Sequence, residues 1–255
     1  MKIGIVGYGH VGRAMHTLFK DANIYDKYLG IGNKVDINKC DTVFVCVPTP
    51  QRKDGGCDTG AVEEVIGWLQ VGLIILRSTV YVGFTDKMIE KYNKEIVFQP
   101  EYYGETVSHP FSDLNGRAWL SFGGRKAGIH KAINTYQTVI NSNVRIYQAD
   151  AKSVEMAKYM ENAFLALKVT FCNEMYDIAE SLGANYDIVR EIWTADPRIG
   201  TSHTFVYENA RGYGGNCLPK DVASIVTQAK DKGVDTSLLI AMQEKNAMYR
   251  SDGSK

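Results

Sequence analysis

The 255-residue sequence predicts an α/β protein: a doubly wound parallel sheet over residues 1–149, then an all-helical domain over residues 150–255. Three observations carry this. Short β-branched runs alternate with amphipathic stretches in the first half, a glycine-rich turn follows the first run, and no strand pattern appears after residue 150.

The expected strands cover residues 2–6, 23–25, 42–47, 73–76, 96–98, 118–122 and 144–148. Several are apolar throughout, as strands covered on both faces are. Helices are expected between many of them, over 11–19, 59–69, 85–92 and 127–140. Residues 152–182 then show helical periodicity with no Gly or Pro, and Gly183 is a natural stop. Further helices are expected over 186–194, 219–232 and 236–249.

Apolar content of 45% with 23% charge is that of a folded globular chain. Lys+Arg and Asp+Glu balance at 29 each, which excludes an overall field for nucleic acid or an anionic membrane. No apolar run reaches the roughly 20 residues that span a bilayer, and the N-terminus lacks the regions of a signal peptide. Five cysteines, an odd number without regular spacing, point to thiols in a reducing, cytoplasmic compartment. The five histidines form no metal-like spacing with them, so no metal is expected.

The first strand runs into Gly7-Tyr8-Gly9-His10-Val11-Gly12 and a helix follows. This is the GxGxxG of a Rossmann domain in its required context: glycines permit a tight turn and let a pyrophosphate approach the helix N-terminus. Asp26 lies 19 residues beyond Gly7, at the end of the second strand. A carboxylate there accepts hydrogen bonds from the adenosine ribose and repels a 2′-phosphate, favouring NAD over NADP. FAD is a rival for the motif; it fits a helical, thiol-bearing partner domain less well.

A second constellation reads Gly-Tyr-Gly-Gly-Asn-Cys-Leu-Pro-Lys-Asp over residues 212–221. Pro219 suits the first turn of a helix, and the carboxylate of Asp221 complements its dipole. Cys217 then stands just ahead of a helix N-terminus, where a thiol is activated and exposed. Gly214 and Gly215 allow close approach, and Lys220 is read as part of a solvated helix start. Cys40, Cys46, Cys57 and Cys172 lack such surroundings and are read as inert.

These motifs resemble the UDP-glucose/GDP-mannose 6-dehydrogenase family. The similar pieces, in the family's order, are GYGHVG at the start, CVPTP at 46–50, RSTV at 77–80, PEYYGET at 100–106, EMAKYMENAFLALK at 155–168, DPRIG at 196–200 and GYGGNCLPKD at 212–221. The resemblance implies a 6-phosphogluconate-dehydrogenase-like helical domain, a homodimer built on the long helix, a nucleotide-sugar substrate and a place in polysaccharide biosynthesis. It also implies oxidation of a sugar C6 alcohol to a carboxylate with two NAD+, Cys217 serving as covalent nucleophile.

By the same resemblance Lys158 and Asn162 face the substrate oxygen where charge develops. Spacing supports this, since Glu155, Lys158 and Asn162 span about 60° of one helix face; a surface Glu–Lys pair is the competing reading. Asp221, Thr79, Glu101 and Glu105 match positions around the hydrolytic water and the cofactor. Val47, Pro48, Thr49 and Ser78 belong to the two loops beside the cofactor. Arg198, Tyr213, Gly214 and Gly215 match substrate-binding positions, Arg198 in some relatives across a dimer interface.

The chain departs from the family in three places. It ends near the point where a third, nucleotide-covering domain would begin, only 19 residues separate Asp26 from Cys46, and three extra residues separate DPRIG from GYGGNC. A smaller substrate, weaker binding or a lid supplied by a partner protein would each be a consequence. The competing functions are a two-electron β-hydroxyacid-type dehydrogenase, which needs no cysteine, and a catalytically idle NAD-binding scaffold.

Overall fold

The computed structural model describes residues 1–102 and 118–252; Glu105 lies outside the described residues. Seven strands are described, in one sheet: β1 (Ile3–Val6), β2 (Asn23–Tyr25), β3 (Thr42–Val45), β4 (Leu73–Leu76), β5 (Ile96–Phe98), β6 (Trp119–Gly124) and β7 (Arg145–Ala149). Their order is β2-β1-β3-β4-β5-β6-β7. Helices α1 (His10–Leu18), α2 (Lys34–Ile37), α3 (Gly60–Trp68), α4 (Phe84–Tyr92) and α5 (Lys126–Tyr136) connect them. Beyond the sheet come α6 (Ala151–Ser181), α7 (Tyr186–Thr194), α8 (Leu218–Lys230) and α9 (Ser237–Asp252).

Strand residues alternate between two cores, as a pleat requires. Val43, Val45, Ile74 and Leu76 pack with α3 and α4 residues on one face, while Phe44 and Ile75 pack with Met15 and Tyr136 on the other. With both faces covered, the strands read as apolar throughout. The strand order reverses between β1 and β3, so the turns leaving these two strands flank the crevice where ligands of such sheets bind.

The sheet differs from the expected all-parallel one at one pairing. β5 and β6 are antiparallel, through Val97↔Gly124 and Phe98↔Gly123, whereas β6 and β7 are parallel. Both β6 partners are glycines: a Cβ on Gly123 would lie 2.9 Å from Val154, so only a residue without one lets α6 cross here. The sequence pattern also gave no sign of α2. Its one turn is capped by Asn33, whose side chain accepts the Asp36 N–H, and it fills part of the short span between Asp26 and Cys46.

Two compact units are distinguished by their contacts: Met1–Pro50 with Cys57–Lys158, and Gln51–Gly56 with Tyr159–Lys255. The sequence-based boundary at 149/150 marks where strands give way to helices; the division by contact falls later, within α6. Residues 51–56 group with the helices because Thr227 Oγ1 donates to the Asp54 carbonyl at 3.1 Å. In the second unit Ala163, Ala166, Tyr213, Val222 and Met242 form one core cluster and Cys172, Ala179 and Tyr186 another. Gly183, at φ +73, ends α6 as expected.

The start of α6 is tied to the sheet unit by a buried carboxylate. Glu155 is fully buried and accepts the backbone N–H groups of Gly83 at 2.5 Å and Thr85 at 2.9 Å, capping α4. Glu155→Ala leaves one buried and one half-buried donor without this acceptor and should lower stability by about 2–4 kcal/mol, read by urea denaturation. Burial raises the Glu155 pKa above its ordinary 4.5, against the opposing hydrogen bonds from Thr85 and Gly83. The folded chain therefore holds this proton more tightly than the unfolded one. Its contribution to stability is fully present below pH 4.5 and is lost as pH rises through the raised value. A Glu155→Gln variant should lack that decline; identical pH profiles for the two proteins would contradict this.

Candidate active site

The turn after β1 is shaped by what cannot fit there. Gly7 has φ +91, and a Cβ on it would lie 2.8 Å from the Cys46 carbonyl; a Cβ on Gly12 would strike the Gly7 carbonyl. Gly9 has open space instead, with nothing within 4 Å of the Cβ position. The N-cap of α1 is Gly9, which has no side chain to cap the helix that starts at His10 and Val11. A helix start behind a glycine with open space suits a diphosphate. The residues present therefore fit NAD.

Asp26 stands where the sequence placed it, at the end of β2. Its Oδ2 accepts the Tyr8 N–H at 2.7 Å and its Oδ1 those of Tyr28 and Leu29, both at 2.9 Å. Slight burial pushes its pKa up, but these three N–H groups and Arg13 outweigh it and hold the carboxyl below its ordinary value. It stays an anion, the form suited to accepting hydrogen bonds from a ribose.

The loop after β3 is fastened to the loop after β4. Ser78 Oγ donates to the Val47 carbonyl at 2.6 Å and Thr49 Oγ1 to the Thr79 carbonyl at 2.8 Å. Pro48 is exposed between them, and Thr49 is buried. Cys57 Sγ donates to the same Thr79 carbonyl at 3.5 Å. Burial pushes the Cys46 thiol up to about 12, despite the Arg77 charge nearby, so it is inert.

Glu101 is not a solvated loop residue. It is buried and ion-paired with the guanidinium of Arg77, itself buried at the end of β4. Sequence reasoning passed over Arg77, although it opens the RSTV motif; an arginine beside an apolar strand reads as a surface flank until its partner is known.

Along α6, Glu155 and Lys158 are not the surface ion pair that their spacing also allowed. Lys158 is only 7% exposed, and its Nζ lies 4.5 Å from the centroid of the Tyr102 ring. Tyr102 is a second residue missed in the sequence.

In the helical unit, Asn162 is 4% exposed and its Nδ2 donates to Asp221 Oδ2 at 2.5 Å. Asp221 is 1% exposed and ion-pairs through Oδ1 with Lys220. Lys220 is thus partly buried, not the solvated residue expected. Cys217 is the N-cap of α8, with Pro219 in the first turn and the Asp221 N–H donating to the Cys217 carbonyl at 2.9 Å. Its side chain is exposed. A helix N-terminus favours the thiolate of an exposed cysteine, the form that is the nucleophile.

The glycine loop before Cys217 is held from α9. Asn246 Oδ1 accepts the Tyr213 N–H at 2.7 Å and its Nδ2 donates to the Tyr213 carbonyl at 3.0 Å. Asn246 was not foreseen, since a lone Asn within a helix gives no signal. Tyr213, expected at the substrate, buries its ring in the helical core instead, because its neighbours there are apolar. Gly214 and Gly215 (φ +75) complete the loop. Arg198 is not gathered into either unit's cluster: its side chain is 86% exposed and pairs with Asp196 in its own turn.

Exposure separates the five thiols. Iodoacetamide at pH 8 should modify Cys217 in the native protein and reach Cys40, Cys46, Cys57 and Cys172 only after denaturation, as peptide mapping would show. Labelling of all five at similar rates without denaturant would contradict this arrangement.

Residues 21–110 match the NAD binding domain of the UDP-glucose/GDP-mannose dehydrogenase family and residues 152–248 match its central domain. A UDP-glucose 6-dehydrogenase of Pseudomonas aeruginosa is 30% identical, the match covering 82% of this chain and 49% of the relative. A UDP-glucose 6-dehydrogenase of Bacillus subtilis is 31% identical over the same shares. Another Bacillus subtilis relative, 31% identical, is covered to 67% of its length by 96% of this chain. The chain therefore spans about half the length of several curated relatives it matches. Among solved structures, a UDP-glucose dehydrogenase from Pyrobaculum islandicum shares the fold with a TM-score of 0.83 at 21% identity, over 97% of this chain and 68% of that one.

Proposed function

The chain belongs to the UDP-glucose/GDP-mannose dehydrogenase family, and on that premise we propose that it oxidises the C6 alcohol of a nucleotide-linked sugar to the carboxylate. UDP-glucose is the first candidate substrate. NAD, when bound, supplies the hydride acceptor for both oxidation steps.

The observation that supports this most is Cys217 as exposed N-cap of α8, with Asp221 held one turn away by Asn162. A two-electron hydroxyacid dehydrogenase has no use for that thiol. In the first step the alcohol loses a hydride and a proton to give an aldehyde. The Cys217 thiolate adds to the aldehyde carbon, and the adduct loses a second hydride to become a thioester. Water then attacks the acyl carbon, the C–S bond breaks with its electron pair returning to sulfur, and the acid leaves. Lys158 and Asn162 stabilise the oxygen as it gains charge. Asp221, Thr79, Glu101 and Glu105 are the candidates for activating the water, and Arg198 is the candidate for the substrate phosphate.

A homodimer is part of the same proposal. Met160, Phe164, Phe171, Met175 and Ile178 are exposed apolar residues of one helix, α6, whose spacing of three, four and seven places them along one stripe, and exposed Leu182 follows in the turn after it. A second copy of the chain is the occupant proposed for this stripe. Phe164→Glu with Ile178→Glu should shift the protein to monomer in sedimentation experiments; a wild-type protein already monomeric at 50 µM, about the upper end of ordinary assay concentrations, would refute the dimer.

The chemistry is tested by incubating the protein with NAD+ and a panel of nucleotide sugars, counting NADH per acid formed. Two per turnover is expected, one indicates a hydroxyacid-type enzyme, and none across the panel indicates a scaffold. Cys217→Ala should abolish acid formation, a loss of at least about 1,000-fold, while leaving the NAD+ dissociation constant unchanged. Acid formation at the wild-type rate in that variant rules out the covalent route.

A further inference from the structure

We infer that Arg77 is a positioning residue for thioester hydrolysis, acting through Glu101; the inference rests on the dehydrogenase function proposed above. Neither motif spacing nor the comparisons assign Arg77 a part. The structure gives it an unusual setting: a guanidinium with its side chain 1% exposed, lining an apolar recess with Met15, Leu18, Leu120, Ile140 and Val144. A cation taken out of water into such surroundings persists only when an anion and further hydrogen bonds meet it. Glu101 is that anion, accepting from Nη2 at Oε2.

The pair belongs to a longer chain of contacts. Arg77 Nη1 donates to Tyr136 Oη at 3.1 Å, and Tyr136 Oη donates to Gln99 Oε1 at 2.6 Å. Gln99 Nε2 donates to the Pro100 carbonyl at 3.2 Å. Residues 99–101, the exit from β5, are therefore gripped at Gln99 and at Glu101 by side chains from the end of β4 and from α5. Tyr136 cannot drift, because its ring packs edge-on against Phe44 and Phe122 at 5.8 and 5.5 Å. Cys46 lies near the guanidinium, but its thiol, pushed up to about 12, carries no competing charge at neutral pH.

This arrangement decides how Glu101 works. Paired with the buried Arg77 guanidinium, Glu101 serves as a fixed anion that orients the attacking water. In the step it assists, the water oxygen bonds to the acyl carbon and the C–S bond breaks. The electron pair returns to the Cys217 sulfur and the water protons pass to solvent. No electrons enter or leave, so hydride transfer does not depend on Arg77 and hydrolysis does.

The test compares wild type, Arg77→Gln, Arg77→Lys and Tyr136→Phe in stopped-flow with saturating nucleotide sugar and NAD+. Arg77→Gln should release two NADH per protein as a burst and then turn over at least about 10-fold more slowly, with KM for NAD+ within about 2-fold of wild type. Intact mass should show the substrate acyl group on the protein. Arg77→Lys should recover most of the turnover, and Tyr136→Phe should show the same burst with a fall of about 3-fold. Where Arg77→Gln does not fold, Tyr136→Phe decides: wild-type turnover with no covalent adduct overturns the inference. Wild type that forms NADH while no variant accumulates adduct overturns it alone. Wild type that forms no NADH with any nucleotide sugar overturns the dehydrogenase function and this inference together.

Discussion

A carboxylate removed from water must be met by donors, and three buried carboxylates place much of what matters here. Glu155 takes two backbone N–H groups at the start of α4, Glu101 takes the Arg77 guanidinium, and Asp221 takes the Asn162 amide and the Lys220 ammonium. Each bond is directional as well as strong, because an unmet buried charge is far costlier than a slightly misplaced one. The start of α6, the exit of β5 and the first turn of α8 are each pinned in this way. Apolar packing fills the space around these points without choosing a geometry so narrowly.

The same constraint explains which parts of the protein were legible in the sequence. The seven strands and the longer helices were, because burial on both faces demands apolar strands and helix packing demands a 3.6-residue period. Gly183 and Pro219 punctuated helices at their expected places. The antiparallel step between β5 and β6 was not legible: strand–helix alternation implies parallel neighbours, and the glycines that permit the close approach, Gly123 and Gly124, look like any loop glycines. The four-residue helix α2 escaped because one turn has no period to detect.

Site residues divided along a related line. Those whose chemistry is local to the chain were readable: the Gly7–Gly12 turn, Asp26 beside it, and Cys217 ahead of Pro219. Residues whose meaning depends on a distant partner were not. Arg77 needs Glu101, 24 positions away, and Asn246 needs Tyr213, 33 away. Tyr213 shows the converse. Its neighbours in sequence suggested substrate contact, but its neighbours in space are apolar, and the ring goes to the core.

In the proposed reaction the chemical labour is divided between one accessible group and several enclosed ones. A nucleophile must reach a carbon atom of an incoming molecule; Cys217 is exposed, and the end of a helix gives it both reach and a positive field. The groups that stabilise charge work best where water cannot screen them. Lys158, Asn162, Glu101 and Asp221 are accordingly all buried. Burying a charge is unfavourable unless it is partnered, and partnering removes the freedom to move. The enclosed residues are therefore suited to holding geometry while bonds change, and the exposed sulfur is the atom suited to changing its bonds.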